Sequence, residues 1–313
     1  MPNLLLFVLI FISGILTSCK NPTENNKIQT TLQDSLPNPI YSYSLAQWSL
    51  SESIQNKKLD PLDFASKARE LGFEGIEYVS TFYRGKALDT AYLDKLKMNA
   101  EINKVKSILI MVDEEGDMGY LDESKRNKAV ENHYKWVDAA NYLGCHSIRV
   151  NAFGEGSETE VSDAMVLALK KLSVYAKKKN INILVENHGG YSSHGVWLSS
   201  IISRVNMPNC GTLPDFGNFC IKREDGDKWA KPCILEYDKY KGVYELMKFA
   251  KGLSAKSYAF DVNGNETTID YAQMANIVKK SNYSGYIGIE WEGKDLPEEE
   301  GIKATLALVK KHF

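Results

Sequence analysis

Acidic side chains stand at the ends of three apolar segments in this sequence. Glu186 ends the segment ILVE, Asp215 ends TLPD and Glu290 ends YIGIE. If these segments are strands, the alternation of side chains places Glu186 on the face of Leu184, and Glu290 on the face opposite its apolar neighbours. Carboxylates buried together require a compensating cation. The pattern therefore predicts a divalent metal site, with Mg²⁺ or Mn²⁺ as the preferred ion, and Zn²⁺ if His188 takes part.

Eight segments of this kind alternate with helical patterns, about 35 residues apart. This alternation predicts an α/β fold, a single-domain (β/α)₈ TIM barrel, in which active sites lie at the carboxyl ends of the strands. An open doubly wound sheet is the alternative, but no GxGxxG or GxxxxGK[ST] motif follows any strand. The predicted strands are Ser42–Leu50, Gly75–Ser80, Ser107–Asp113, Ser147–Phe153, Asn182–His188, Thr212–Phe216, Leu253–Asp261 and Tyr286–Glu292.

The first 40 residues precede this pattern. Residues 4–16 are thirteen uncharged, mostly apolar residues, which suits a signal-peptide core better than a membrane span. The motif LTSC that follows resembles the lipobox of bacterial lipoproteins. That resemblance implies a signal peptide over 1–18, lipidation of Cys19 and export to a bacterial membrane, facing the periplasm or the surface. Residues 19–40 are expected to be a flexible tether and residues 41–313 the barrel.

Composition and cysteine spacing exclude several classes of protein. With 38 basic and 40 acidic residues among 313, the net charge is −2, so a nucleic-acid partner is not expected, and membrane contact is expected only through the lipid. Cysteines 145, 210, 220 and 233 form no CxxC zinc pattern. Export would permit a disulfide among the last three, but buried free thiols are the preferred expectation.

The body of the chain, from Tyr41 to Phe313, resembles the xylose-isomerase-like barrel family, also called the sugar phosphate isomerase/epimerase family. The segments that carry the resemblance are SLAQWSL, ELGFEGIEY, LGCHSIRVN, ILVENHGG, GTLPDFGNF and GYIGIEWEG. The resemblance implies that Glu186, Asp215 and Glu290 match the metal-binding acids of the family.

The seventh strand departs from the family pattern. Lys256 stands near the place where family members commonly have His or Gln. A protonated lysine cannot ligate a metal, so either His188 completes the site or the ion has three protein ligands and water. Lys256 itself has two interpretations. Beside a bound cation its pKa would be lowered, which suits an acid/base catalyst; alternatively it pairs with Asp215, Glu290 or Asp261 and neutralises the site.

The family resemblance implies a metal-dependent proton transfer next to a sugar carbonyl, with Glu186, Glu290 or Lys256 as the catalytic group. Returning the proton gives epimerisation or isomerisation, and expelling a group β to the carbonyl gives a lyase. Because exported proteins seldom meet sugar phosphates, we expect a non-phosphorylated sugar, keto-sugar or keto-glycoside.

The alternative to an enzyme is a non-catalytic sugar-binding lipoprotein with a degenerate site. A zinc-dependent nuclease is disfavoured because the chain has only five histidines. Four residues near strand ends are, in addition, candidate substrate contacts: Glu77, Arg149, Asn151 and His188.

Overall fold

The structure, a computed structural model, describes residues 41–313, and its centre is a parallel sheet of eight strands. A separate two-stranded antiparallel hairpin, β7–β8, lies in the connection after β6. The strands are β1 (Ser42–Ala46), β2 (Gly75–Val79), β3 (Lys106–Met111), β4 (Ser147–Val150), β5 (Asn182–Glu186), β6 (Cys210–Leu213), β7 (Cys220–Arg223), β8 (Cys233–Glu236), β9 (Ser254–Ser257) and β10 (Tyr286–Trp291).

The eight-stranded sheet closes on itself. Its hydrogen-bonded order is β6-β5-β4-β3-β2-β1-β10-β9, and every pairing within it is parallel. The chain just after β6 pairs with β9 where the amide of Phe216 donates to the carbonyl of Ser254 and the amide of Ser254 donates to that of Pro214. The predicted (β/α)₈ barrel is therefore confirmed.

Helices connect the parallel strands, and they bury their apolar faces on the outside of the barrel. The larger apolar core lies between this helical layer and the sheet, whereas a second cluster consists of strand residues that include Val79, Leu184 and Leu213. No helix within 41–313 combines the length and apolar character needed to cross a membrane. The helices are α1 (Ser51–Gln55), α2 (Phe64–Glu70), α3 (Thr90–Ile102), α4 (Glu123–Leu143), α5 (Glu158–Lys177), α6 (Gly195–Val205), α7 (Lys239–Met247), α8 (Tyr271–Lys280) and α9 (Glu298–His312).

Each predicted strand is present, and all eight are shorter than expected. The predicted seventh strand, for example, extended to Asp261, but pairing in β9 ends at Ser257 because the chain then turns out of the sheet. The polar residues that follow the strands consequently lie on loops at the carboxyl edge of the barrel. The predicted signal peptide, the tether and Cys19 lie outside the described residues.

The cysteine expectation is wrong for two of the four residues. Cys220 and Cys233 form a disulfide that joins β7 to β8, whereas Cys145 and Cys210 are buried free thiols, as expected. The hairpin itself was not predicted. Its two strands have four residues each and mix apolar with charged side chains, so neither shows the periodicity of a barrel strand.

Candidate active site

Three carboxylates converge at the carboxyl edge of the barrel. Glu186 ends β5, Asp215 follows β6, and Glu290 lies on β10. One oxygen from each carboxylate lies within 4.8 Å of the others, and the three residues are the group that meets this criterion among those described. All three side chains are buried. The alternation of side chains along the strands correctly predicts that Glu186 and Glu290 point into the barrel, where Asp215 joins them.

Lys256 lies among these acids on the neighbouring strand β9. Its Nζ is 3.0 Å from Glu292 Oε1, 3.5 Å from Glu290 Oε1 and 3.6 Å from Asp215 Oδ2. Burial opposes its charge, but the carboxylates outweigh burial and raise the pKa of Lys256 well above its usual range. These contacts are those of the ion-pairing interpretation, with Glu292 in the place of Asp261. The acid/base interpretation depends on a bound cation and stays a prediction.

A single hydroxyl bridges two of the carboxylates. The Oγ of Ser254 lies 2.6 Å from Asp215 Oδ2 and 2.9 Å from Glu290 Oε2. Because a hydroxyl has one proton, it donates to only one of them at a time. Burial raises the pKa of Glu290 to about 7 and that of Asp215 above its ordinary value. A proton or a bound cation would therefore stabilise these two carboxylates.

Glu186 belongs to a second ion pair on the opposite flank of the cluster. Arg149 Nε lies 2.8 Å from Glu186 Oε2, and Arg149 Nη1 lies 2.7 Å from Asp113 Oδ1. Burial raises the pKa of Glu186 to about 8, and the positive charge of Arg149 counteracts this only in part. Burial also acts against the charge of Asp113, but the positive charge of Arg149 and its hydrogen bond outweigh burial and lower the pKa of Asp113 to about 2.

Two successive hydrogen bonds, through Asn151 to Asp113, orient the ring of His188. Its Nδ1 lies 2.7 Å from Asn151 Oδ1, and Asn151 Nδ2 donates to Asp113 Oδ1 at 2.7 Å. Burial, followed by the charge of Arg149, lowers the pKa of His188 well below its usual range, so the ring is neutral. With Nδ1 donating to Asn151, the lone pair is on Nε2. The structure does not bring His188 into the converging carboxylate group.

Glu77 is buried inside the barrel and is not one of the three converging acids. Its Oε1 accepts a 2.5 Å hydrogen bond from Ser44, and its Oε2 has no hydrogen-bond partner among the described residues. A Cβ added to Gly288 on β10 would lie 2.7 Å from the Glu77 carboxylate, so the acid spans from β2 to β10. Glycine at 288 is what allows this buried carboxylate to fit.

Replacing Glu77 with Gln is expected to stabilise the protein increasingly as the pH rises. Burial raises the pKa of Glu77 from 4.5 to about 7. Because the folded-state pKa exceeds the unfolded one, this residue's contribution to stability is intact below the unfolded pKa and is lost as the pH rises through the folded pKa. The loss amounts to about 3 kcal/mol, which an uncharged amide avoids. Urea unfolding at pH 5 and pH 8 measures it.

The matched control for this prediction is Glu101→Gln, a glutamate exposed on α3. Its effect on the free energy of unfolding is expected to be small at both pH values. A Glu77→Gln variant whose stability relative to wild type is the same at pH 5 and pH 8 would contradict the buried, titrating carboxyl inferred here.

The chemistry of the cluster fits a divalent cation. Its donors are carboxylate oxygens, the hard ligands that Mg²⁺ and Mn²⁺ prefer, and they converge without a histidine or thiolate among them. Because Ser254 donates its single proton to only one of these two buried carboxylates at a time, the other carboxylate has an oxygen that a bound cation would satisfy. Glu186, Asp215 and Glu290 would hold the ion, with Lys256 as a neighbouring cation.

A cavity of ≈ 990 Å³ lies at the carboxyl edge of the barrel, and Glu290 is the one of the three acids that lines it. Among its lining residues, Asp113, Glu292 and Tyr258 are ones that sequence reasoning missed. Asp113 ends a predicted strand and Glu292 ends another, so the end-of-strand argument that selected the three acids would also have selected these two. Ser254 had no such signal, because a serine in a short strand is unremarkable until its neighbours are known.

The predicted substrate contacts are placed in two regions. Arg149, Asn151 and His188 line the cavity together with Glu290. Glu77 does not line it and is enclosed beside Ser44 and Gly288. Three of the four candidates are therefore accessible to a ligand in the cavity.

Comparison with solved structures shows the same architecture in other proteins. The chain is similar to D-allulose 3-epimerase from Methylomonas sp., with a TM-score of 0.65 at 16% identity over 88% of this chain and 99% of that chain. It is similar to 3-keto-D-glucoside 4-epimerase from E. coli, with a TM-score of 0.62 at 15% identity over 80% and 94%. The IolI protein with a bound zinc atom has a TM-score of 0.59 at 15% identity over 87% and 98%. At these identities the likeness concerns the fold.

No curated protein matches the sequence. The model of one protein family does match, and its description is xylose isomerase-like TIM barrel. The match extends over residues 65–312, which is most of the barrel and includes all three converging acids, Lys256 and Arg149. The chain therefore belongs to the xylose isomerase-like TIM barrel family.

Proposed function

We propose that this protein is a metal-dependent enzyme that transfers a proton next to the carbonyl of a sugar, as an epimerase or isomerase, with a related lyase reaction open to the same site. The observation that carries the proposal is the buried group of Glu186, Asp215 and Glu290, within 4.8 Å of one another, of which Glu290 lines a large cavity. The similar D-allulose 3-epimerase and 3-keto-D-glucoside 4-epimerase support this reaction class.

The three acids would hold the divalent cation, which when bound supplies Lewis acidity that stabilises negative charge developing on a carbonyl oxygen. Glu186 and Glu290 lie on β5 and β10, on either side of Asp215 and Lys256. Two carboxylates on different strands can remove a carbon-bound proton and return one from another direction, which epimerisation requires. Lys256 holds Glu290 in place through its 3.5 Å contact.

The substrate class we propose is a non-phosphorylated sugar, keto-sugar or keto-glycoside. The proposal depends on export through the predicted signal peptide. The disulfide between Cys220 and Cys233 supports it, because such bonds persist in oxidising compartments outside the cytoplasm. The neutral ring of His188 and the amide of Asn151 are suitable partners for sugar hydroxyls at the cavity wall.

Deuterium exchange from D₂O into a carbon-bound position of the substrate tests this function. A panel of hexoses, 3-keto-glucosides and sugar phosphates is incubated with Mn²⁺-loaded protein, and incorporation is followed by mass spectrometry. We expect exchange in at least one non-phosphorylated compound, loss of exchange after chelation and recovery when Mn²⁺ is returned. Absence of exchange from a protein that binds metal and sugar would establish the binding-protein alternative, and exchange confined to phosphates would overturn the substrate class.

A further inference from the structure

The cavity extends well beyond the acidic cluster. It reaches from Glu290 to the hairpin β7–β8, where Trp229 forms part of its wall. Its volume of ≈ 990 Å³ is at the upper end of the roughly 300–1,000 Å³ typical of small-molecule sites. A single sugar ring held at the cluster would leave the hairpin end of this space unfilled.

An aromatic group forms the wall at that end, and we call it the outer subsite: Phe153, His188, Lys228 and Trp229. The ring of Trp229 lies 4.8 Å from that of His188 and 5.7 Å from that of Phe153, measured between centroids. Trp229 nevertheless remains 50% exposed. A half-exposed tryptophan on a cavity wall offers a flat apolar surface on which another ring can stack.

Lys228 adds hydrogen-bond donors beside this surface. Its Nζ lies 3.5 Å from the ring centroid of Phe153, where the cation is attracted to the aromatic face. An ammonium has three donors, and contact with a ring face leaves donors available for the hydroxyls of a ligand. The outer subsite thus combines an aromatic face with hydrogen-bond donors. A sugar ring has an apolar face that could stack on the aromatic face and hydroxyls that could accept from the donors.

The hairpin holds this subsite in a fixed position. The Asp227 carboxylate accepts hydrogen bonds from the amides of residues 229 to 231, which orders the turn that carries Trp229. The disulfide joins the two strands below that turn. At the base of the hairpin, Asn218 donates to Glu186 Oε1 at 3.1 Å. The subsite is therefore connected to the acidic cluster and is organised before a ligand arrives.

We propose that the outer subsite binds the second ring of a two-ring glycoside, whose first ring lies at the acidic cluster. The proposal rests on the proposed function and specifies its substrate class. The chemistry required of the second ring is a flat face for Trp229 and attachment through a glycosidic bond, so either a sugar or an aryl ring satisfies it. A methyl glycoside reaches the acidic cluster but not the outer subsite.

Isothermal titration calorimetry with three 3-keto-glucosides, bearing a methyl, a glucosyl or a p-nitrophenyl group, tests this. In the Mn²⁺-loaded wild type we expect at least one two-ring probe to bind about tenfold more tightly than the methyl probe. Trp229→Ala should reduce that ratio to about one without changing the dissociation constant of the methyl probe. Which two-ring probe gains affinity identifies the second ring as sugar or aryl.

Two further variants separate ring binding from a structural role. Trp229→Phe keeps a stacking face and should retain part of the affinity ratio. Ile234→Ala removes a side chain that is 54% exposed on the same hairpin but does not line the cavity, and should retain all of it. An unchanged ratio in Trp229→Ala, or an equal loss for all three probes, overturns the outer subsite alone. Failure of the wild type to bind any probe overturns this inference, whereas the proposed function is decided separately by the deuterium-exchange panel, which also contains hexoses.

Discussion

Replacing Glu290 with Gln is expected to reduce solvent deuterium exchange by about 10²–10⁴-fold, the range typical of a lost general acid or base. Glu290 is 4% exposed and is one of the three acids within 4.8 Å of one another. The amide has nearly the same shape, so packing is retained, but it accepts no proton at neutral pH and contributes no negative charge to a cation. The exchange rate and the bound metal per chain are measured together.

The two measurements assign the role of Glu290. Loss of exchange with metal retained identifies a group that handles the proton, and loss of both identifies a ligand of the ion. The matched control is Glu70→Gln, a glutamate whose side chain is 63% exposed on α2, and it should leave both measurements unchanged. Exchange at the wild-type rate in Glu290→Gln would contradict the catalytic site proposed here.

The barrel and its acidic cluster were predictable from sequence because both depend on periodicity. Apolar segments about 35 residues apart require a repeated βα unit, and parallel strands bring their carboxyl ends to one edge. Glu186 and Glu290 are then placed by the two-residue alternation within a strand, and Asp215 by its position near the end of the sixth predicted strand. None of these steps needed a long-range contact.

The hairpin and the state of Lys256 were not predictable in this way. The pairing of Cys220 with Cys233 depends on a turn that carries no period, and four-residue strands contribute little signal of their own. For Lys256 the sequence supplied the position, but its ion pairs depend on how many carboxylates surround its Nζ. That number includes Glu292, which is distant in sequence and adjacent only across β9 and β10.

The buried ion pairs of Arg149 likewise could not be predicted from the sequence. Arg149 alone is an ordinary strand residue, and its importance comes from Glu186 on the next strand and Asp113 after the preceding one. The result is that both flanks of the acidic cluster contain one buried cation. Arg149 is shared with Asp113, which leaves Lys256 as the principal counter-charge for Asp215 and Glu290.

Replacing Lys256 with Met is expected to destabilise the metal-free protein by about 3–5 kcal/mol, the cost of removing one partner from a buried ion pair. Lys256 is 1% exposed, and its Nζ lies 3.5 Å from Glu290 and 3.6 Å from Asp215. Methionine retains most of the volume, so the loss comes from leaving buried carboxylates without their cation. The free energy of unfolding in urea, measured in the presence of a chelator, gives the effect.

Added Mn²⁺ should restore much of the stability lost in Lys256→Met, and it should stabilise this variant more than wild type, because the ion then supplies charge that Lys256 no longer provides. The matched control is Lys303→Met, a side chain 60% exposed and 3.7 Å from Glu299, for which a loss of at most about 1 kcal/mol is expected. An equal loss with and without Mn²⁺ would show that Lys256 acts through packing. It would also show that the metal ion does not replace the lysine as the counter-charge of the Asp215 and Glu290 carboxylates.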